Sequence, residues 1–343
     1  MTDVGLALGS GSARGLAHLG VIRALEDAGI RPRFIAGTSM GALIGAVHAA
    51  DKLGALQATF EAFDWKTTLS FFDMVLPKSG LLDGAKVSAL VRSHIHGDTI
   101  ESLPKAFAAV ATDIVTGDEI VIRAGDVIEA VRASISVPGI FTPVRSNGRI
   151  LVDGGLTNPV PVSAVRSMGA SFVIAVDLNH QIIGGKNMRP LLPSRKTEID
   201  AGKTAGAFSR WVEGYRRSMA DMKQRLLARD DAIAAQLRKW NSPAELLPSI
   251  FEVLLASINI METAVTQARL ARDPPDLLIR PPLGHIRFLE FARAEEIIRI
   301  GYESTRETLA ALPPDLLLSL MDVGAGGGDG RTVQQGPADR PGP

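Results

Sequence analysis

Three short stretches of this chain carry residue types that could make and break bonds together. The first is Gly37-Thr38-Ser39-Met40-Gly41. It fits the G-x-S-x-G pattern, in which a serine sits on a strained strand-to-helix turn and its hydroxyl projects from the sheet. The glycines leave room for the tight backbone, and the helix N-terminus behind favours developing negative charge. The second is Gly9 to Gly15, GSGSARG. A dinucleotide fingerprint wants glycine at its first, third and sixth positions. Gly9 and Gly11 fit, but the sixth residue is Arg14, and the next predicted strand, Phe34-Ile35-Ala36, ends without an acidic residue to grip a ribose. A phosphate loop ending in Gly-Lys-Ser/Thr is absent. The remaining use is an oxyanion hole, with consecutive N–H groups at a helix N-terminus aimed at an alkoxide. The third stretch, Asp153-Gly154-Gly155, puts a carboxylate at a strand end with backbone space beside it, as a general base for Ser39 requires. Asp83-Gly84 is its rival, but Asp83 precedes a predicted helix and an N-cap role accounts for it. Each stretch also reads as an ordinary tight turn.

The histidines add little. A Ser-Asp-His triad in that chain order would need His180 or His285, and neither sits in a context tied to the serine turn. His94 and His96 point away from each other on a predicted helix, so no metal pair is expected. His18 and His48 read as structural or surface residues. No metal constellation and no cofactor are expected.

The elements that must position these residues are written in the hydrophobic pattern. Val4 to Leu8 (VGLAL) is a continuous apolar run, as in a strand buried on both faces. Leu16 to Ala28 repeats apolar residues at helical spacing and Gly29 sits at the C′ position. Phe34-Ile35-Ala36 is a second strand, and Ala42 to Ala50 a second helix. This β-loop-α-β-turn-α opening predicts a parallel sheet with the glycine loop and the serine turn on the same edge. Further on, Ala106 to Asp113 and Glu119 to Ile122 flank Thr116-Gly117-Asp118 as a hairpin. Asp126 and Glu129 open a helix that runs to Ser134. Val137 to Val144, with two prolines, is extended or turned. Ile150-Leu151-Val152 is a strand leading into Asp153, Pro161 opens a helix ending at Gly169, and Ser171 to Leu178 is another buried strand.

The chain has 343 residues, enough to bury a core without covalent staples. Its 37 basic and 37 acidic side chains balance, which argues against a nucleic-acid binder. Aromatics make up 5%, too few for base stacking to be its business. With no cysteine, thiol nucleophiles, disulfides and Cys-ligated metals are excluded. No apolar run is long enough for a membrane span and the start lacks a signal-peptide pattern, so a cytoplasmic protein is expected.

The ordered set of motifs resembles the patatin-like phospholipases. VGLALGSGSARGLAHLGVIRALEDAGI, IAGTSMGALIGA, ATDIVTGDEIVIR, RASISVPGIFTPV and DGGLTNPVPV, with the closing FLEFARAEEIIRIGYES, are similar to the bacterial branch related to neuropathy target esterase. The resemblance implies a three-layer α/β/α hydrolase with a mainly parallel central sheet. It implies a Ser39–Asp153 dyad without histidine, and an oxyanion loop of Gly11, Ser12, Ala13, Arg14 and Gly15. Gly37 and Gly41 flank the nucleophile, and Gly154 and Gly155 follow the base. The family pattern is usually G-G-G-x-[RK]-G, so Ser10 and Ser12 replace glycines here. The expected organisation is a catalytic core over 4–183, a helical insert over 184–275 where the resemblance fails, a closing strand and helix over 276–320, and a disordered tail over 324–343. The implied activity is hydrolysis of a lipid or other amphipathic ester, with Arg14 positioning the loop or meeting an anionic head group. Ser70 to Leu82, rich in Phe, Met and Leu, is equally a core segment or a peripheral membrane contact. Two other classes compete: a nucleotide-dependent oxidoreductase using the glycine loop, and a non-catalytic binding or regulatory member of the fold.

Overall fold

Alternation of side chains along the strands sorts the core into two layers. In the computed structural model, which describes residues 2–61, 84–95, 99–180 and 250–321, strand β1 (Val4–Leu8) pairs in parallel with β2 (Phe34–Thr38) on one side and β7 (Phe172–Val176) on the other. Leu6 lies level with Ile35 and Ile174, and Ile35 with Phe107 of β3 (Ala106–Asp113), so one face carries a large apolar row. One residue along, Ala175, Ala7, Ala36 and Ala108 form a row of small side chains on the other face. Burial on both faces explains why β1 reads as a continuous apolar run.

The eight-stranded sheet runs in the order β5 (Val144–Ser146), β6 (Arg149–Asp153), β3, β2, β1, β7, β8 (Leu277–Ile279), with β4 (Glu119–Ile122) also paired to β3. Strands β1, β2, β3, β7 and β8 are mutually parallel. β4 and β6 run antiparallel to β3, and β5 antiparallel to β6. Against the large-residue face pack α1 (Ala17–Asp27), α2 (Met40–Ala49) and, outside α1, a late helix spanning Ala294–Ala310. The short helix Val162–Ser167 covers the alanine row. The chain is therefore an α/β/α sandwich with a mainly parallel sheet.

Local signals are honoured with small shifts. Gly29 has φ +74° and its N–H closes α1 onto the Glu26 carbonyl. The Asp126 carboxylate accepts the Ile128 and Glu129 N–H groups at 2.7 and 2.9 Å and caps the helix Val127–Ser134. The first helical turn after the glycine loop, Ser12–Leu16, is 3₁₀, and α1 proper starts at Ala17 rather than Leu16. Pro161 stands at the N-cap, one place before the helix it was expected to open. Asn147-Gly148, both at positive φ, makes the β5–β6 hairpin, a turn dipeptide that the sequence reading passed over.

Asp83, His96 and Ser70 to Leu82 lie outside the described residues, as do the tail 324–343 and the part of the expected insert before residue 250. The rest of that insert forms a long helix, Ile250–Arg272, which packs onto the Gly154–Leu156 turn after β6. Among the described residues no helix is long and apolar enough to cross a membrane.

Candidate active site

Parallel strands place their C-terminal turns on one edge. The β1 turn delivers Gly9 to Gly15 there and the β2 turn delivers Ser39. The antiparallel β6 is aligned so that Asp153 lies beside Ala111 of β3, next to β2. All three stretches open on a pocket lined by Ser10, Gly11, Ser12, Arg14, Ser39 and Asp153, together with Val137, Pro138, Leu156, Ile258, Glu262 and Phe288. As it stands, the pocket has room for little more than about one water molecule.

Ser39 adopts φ +57° and ψ −120°, a conformation costly for a residue with a side chain and stable only where its surroundings impose it. Here they do. A Cβ on Gly37 would stand 2.2 Å from the Gly41 carbonyl oxygen, and one on Gly41 would stand 2.1 Å from the Leu8 carbonyl oxygen. The two flanking positions therefore admit only glycine. The Ser39 N–H donates to Ser134 Oγ at 2.9 Å, and Ser134 in turn donates to the Val110 carbonyl at 2.5 Å. Two residues on, the Ser136 carbonyl accepts the Asp153 N–H at 3.0 Å. One short segment at the end of the helix Val127–Ser134 thus grips the backbones of both Ser39 and Asp153.

Asp153 is 3% exposed. Its Oδ1 accepts the Gly155 N–H at 2.7 Å, while Oδ2 is buried with no partner at full hydrogen-bond geometry. The Ser39 hydroxyl is nonetheless close enough to favour the ionised carboxylate. Burial outweighs that hydrogen bond and the one from Gly155, and lifts the Asp153 pKa from 3.8 to about 6. The result is an unoccupied acceptor, buried beside a hydroxyl, on a group still ionised at neutral pH.

The glycine loop divides into used and unused donors. The Ala13 N–H goes to the Phe288 carbonyl and the Arg14 N–H to the Gly11 carbonyl, both at 3.1 Å. Among the described residues the Gly11 and Ser12 N–H groups meet no acceptor, and both residues line the pocket. Ser12, at φ +50°, donates its hydroxyl to the Phe288 carbonyl at 2.6 Å. Ser10 donates to Glu262 at 3.1 Å. Each serine in a glycine place therefore has a partner from the C-terminal third of the chain.

Arg14 is buried and lines the pocket. Its Nη2 donates to Asn179 Oδ1 and Asn259 Oδ1 at 3.2 and 3.3 Å, and its Nη1 to the Ile286 carbonyl at 3.3 Å. Burial lowers its pKa to about 10, which leaves it cationic at neutral pH. Both Nη groups are thus taken by protein acceptors, while the buried Nε has no partner among the described residues. His18 props the same loop. Its Nε2 lies 2.8 Å from the Gly9 carbonyl, and burial pushes its pKa down to about 4, so it stays neutral. His180 and His285 do not line the pocket, and His285 pairs with Glu296.

Sequence reasoning missed Ser134, Asn179, Asn259 and Glu262. A signal was present for two of them. Asn259, Glu262 and Thr266 lie three and four positions apart, the spacing of one helix face, on an apolar-rich helix, and the structure buries all three.

Residues 6–166 match the family described as patatin-like phospholipase. An uncharacterized NTE family protein of Mycobacterium tuberculosis is 34% identical over 336 residues, 91% of this chain and 92% of that protein. The human patatin-like phospholipase domain-containing protein 6 is 33% identical over 88% of this chain and 20% of its own length. Lysophospholipase NTE1 of the yeast Meyerozyma guilliermondii is 28% identical over 87% of this chain and 19% of its own length. The fold is that of a patatin-like α/β/α protein. The chain belongs to the patatin-like phospholipase family, on the side of the bacterial NTE-family proteins.

Proposed function

We propose that this protein is a serine acyl hydrolase acting on carboxylic esters of lipids or similar amphipathic molecules. One observation carries the reading: a strained serine and a buried, half-unpartnered carboxylate open into the same small pocket beside two free backbone donors. Asp153 Oδ2 takes the Ser39 proton as Oγ attacks the ester carbonyl carbon. The Gly11 and Ser12 N–H groups receive the oxyanion. Collapse breaks the bond to the alcohol, which leaves with the proton held by Asp153. Water then gives a proton to Asp153 and attacks the acyl-enzyme, and the acid and free Ser39 are released. A base that titrates near 6 is mostly ionised at neutral pH yet basic enough to share a proton in flight. Lysophospholipids and phospholipids are the substrate class that the named relatives suggest, with peripheral contact to a lipid surface as the route of entry.

Fluorophosphonate labelling of wild type and Ser39→Ala, followed by a lysophospholipid and phospholipid panel, tests the reading. Labelling and turnover lost together in Ser39→Ala support it. Labelling that persists there assigns the nucleophile elsewhere, and dinucleotide binding with no labelling would favour the oxidoreductase class.

A further inference from the structure

The pocket holds a second buried carboxyl that the scheme above leaves unused. Glu262 comes from the helix Ile250–Arg272, more than a hundred residues beyond Asp153 in the chain. Its Oε2 accepts Ser10 Oγ at 3.1 Å and Asn179 Nδ2 at 3.0 Å, and Asn179 also donates to Ser10 Oγ at 2.8 Å. Ser10 directly precedes the two free loop amides. Glu262 Oε1 points the other way, at Gly155. A Cβ built on Gly155 would stand 2.1 Å from Glu262 Oε1 and 3.0 Å from Asp153 Oδ1, so both carboxyls close on one glycine, and any side chain there would have to push the Glu262 carboxyl aside.

The charged groups facing Glu262 are Asp153, from the turn after β6, and Arg14, from the turn after β1; Ser10 and Asn179 are neutral. Two carboxylates against one guanidinium would leave a net negative charge in a dry site, so one carboxyl keeps its proton. Burial acts most strongly on Glu262, and the Asp153 charge adds to it. Against Arg14 and the two donors, they lift its pKa from 4.5 to about 8. With two donors on Oε2, the proton belongs on Oε1, the edge turned to Asp153.

We propose that Glu262 is a positioning residue for the Ser39–Asp153 reaction, a neutral carboxyl that pins the oxyanion loop through Ser10 and leaves Asp153 as the pocket's single anion. The inference rests on the acyl-hydrolase reading. It also gives a reason for serine, rather than glycine, at position 10.

The test is kcat/KM against pH from 5 to 9.5 on a water-soluble short-chain p-nitrophenyl ester, with the full chain as wild type, Ser39→Ala, Glu262→Gln and Glu262→Ala. A glutamine amide reproduces the neutral carboxyl: its oxygen meets Ser10 and Asn179, and its NH₂ faces Asp153. Glu262→Gln is expected within about fivefold of wild type at pH 7, and Glu262→Ala lower by about 10- to 100-fold, as a loosened loop misplaces its donors. Wild-type activity falls again above about pH 8 as Glu262 ionises and adds a second negative charge where an oxyanion must form; Glu262→Gln lacks that fall and keeps the acid limb near pH 6. Equal damage from glutamine and alanine, or an alkaline limb unchanged in Glu262→Gln, would overturn the proposal. Should Glu262→Ala not fold, the Glu262→Gln profile decides alone. Turnover surviving in Ser39→Ala sinks the acyl-hydrolase reading instead, which separates the two failures.

Discussion

The two walls of the pocket are built on different principles. The wall formed by the turns after β1 and β2 and by the end of β6 carries small residues, a strained serine, the Asp153 carboxylate and the Gly11 and Ser12 amides, on strands paired in register. The wall formed by the helix Ile250–Arg272 and the Phe288 segment is side chain and carbonyl: Ile258, Glu262 and Phe288 line it, and Glu262 and the Phe288 oxygen accept hydrogen bonds from the first wall, as Asn259 does behind it. The first wall takes its placement from the sheet, although its glycine loop also leans on the Phe288 carbonyl and Glu262. The second depends on buried polar contacts that stabilise only when all are made. Chemistry should therefore fail when the first wall is altered, whereas rate, pH response and stability should drift when the second is.

The largest expected effects belong to the first wall. Ser39→Ala and Asp153→Asn should each lower kcat by about a thousandfold or more, with thermal midpoints that stay close to wild type; a large loss of stability with modest loss of rate would break the contrast. Next comes Gly155→Ala, which sets a methyl group against Glu262 Oε1 at the contact between the walls. Steady-state assays should show activity down about a hundredfold, and denaturant melts a loss of about 1–3 kcal/mol. Ser134→Ala leaves the buried Ser39 N–H without its acceptor and should cost about 1–3 kcal/mol in the same melts.

How much of this was legible follows from where the information lies. Gly37, Ser39 and Gly41 announce the serine turn as a short local pattern, and the Gly37 contact with the Gly41 carbonyl is itself local, whereas Gly41 is held to glycine by the Leu8 carbonyl of β1. Asp153 stood out only as a candidate, since a carboxylate before two glycines also makes an ordinary turn; that it lies beside Ala111 of β3, next to β2, comes from the strand pairing. The apolar runs of β1 and β2, each ending in a small-residue turn, were enough to set both turns on one edge of the sheet. Asp126 was legible as a cap because the amides it accepts, those of Ile128 and Glu129, follow it closely in the chain. Asn179 was not legible, and Glu262 only as one of several polar positions spaced along a helix, since the roles of both arise only when segments far along the chain from the glycine loop fold over it. Arg14 was visible as part of a motif, but its burial against Asn179, Asn259 and Ile286 could not be read from the loop alone.

The smallest expected effect is in stability against pH. Folding raises the Glu262 pKa from 4.5 to about 8, so the folded chain holds a proton there that the unfolded chain releases. Stability from this group is highest below about pH 4.5 and declines as pH rises toward about 8. Thermal midpoints of wild type and Glu262→Gln should therefore diverge between pH 5 and pH 8.5, with the wild type losing relative ground at the alkaline end. A constant difference would place the proton elsewhere.

The central claim is that Ser39 is activated by Asp153 within one pocket. Its most direct measurement is the rate of fluorophosphonate attachment as a function of pH, with the modified residue located by mass spectrometry of the peptides. The account predicts a single adduct on Ser39, forming at a rate that falls as pH drops through about 6 and that nearly vanishes in Asp153→Asn. An adduct on another residue, or attachment to Ser39 at an undiminished rate in Asp153→Asn, would contradict it.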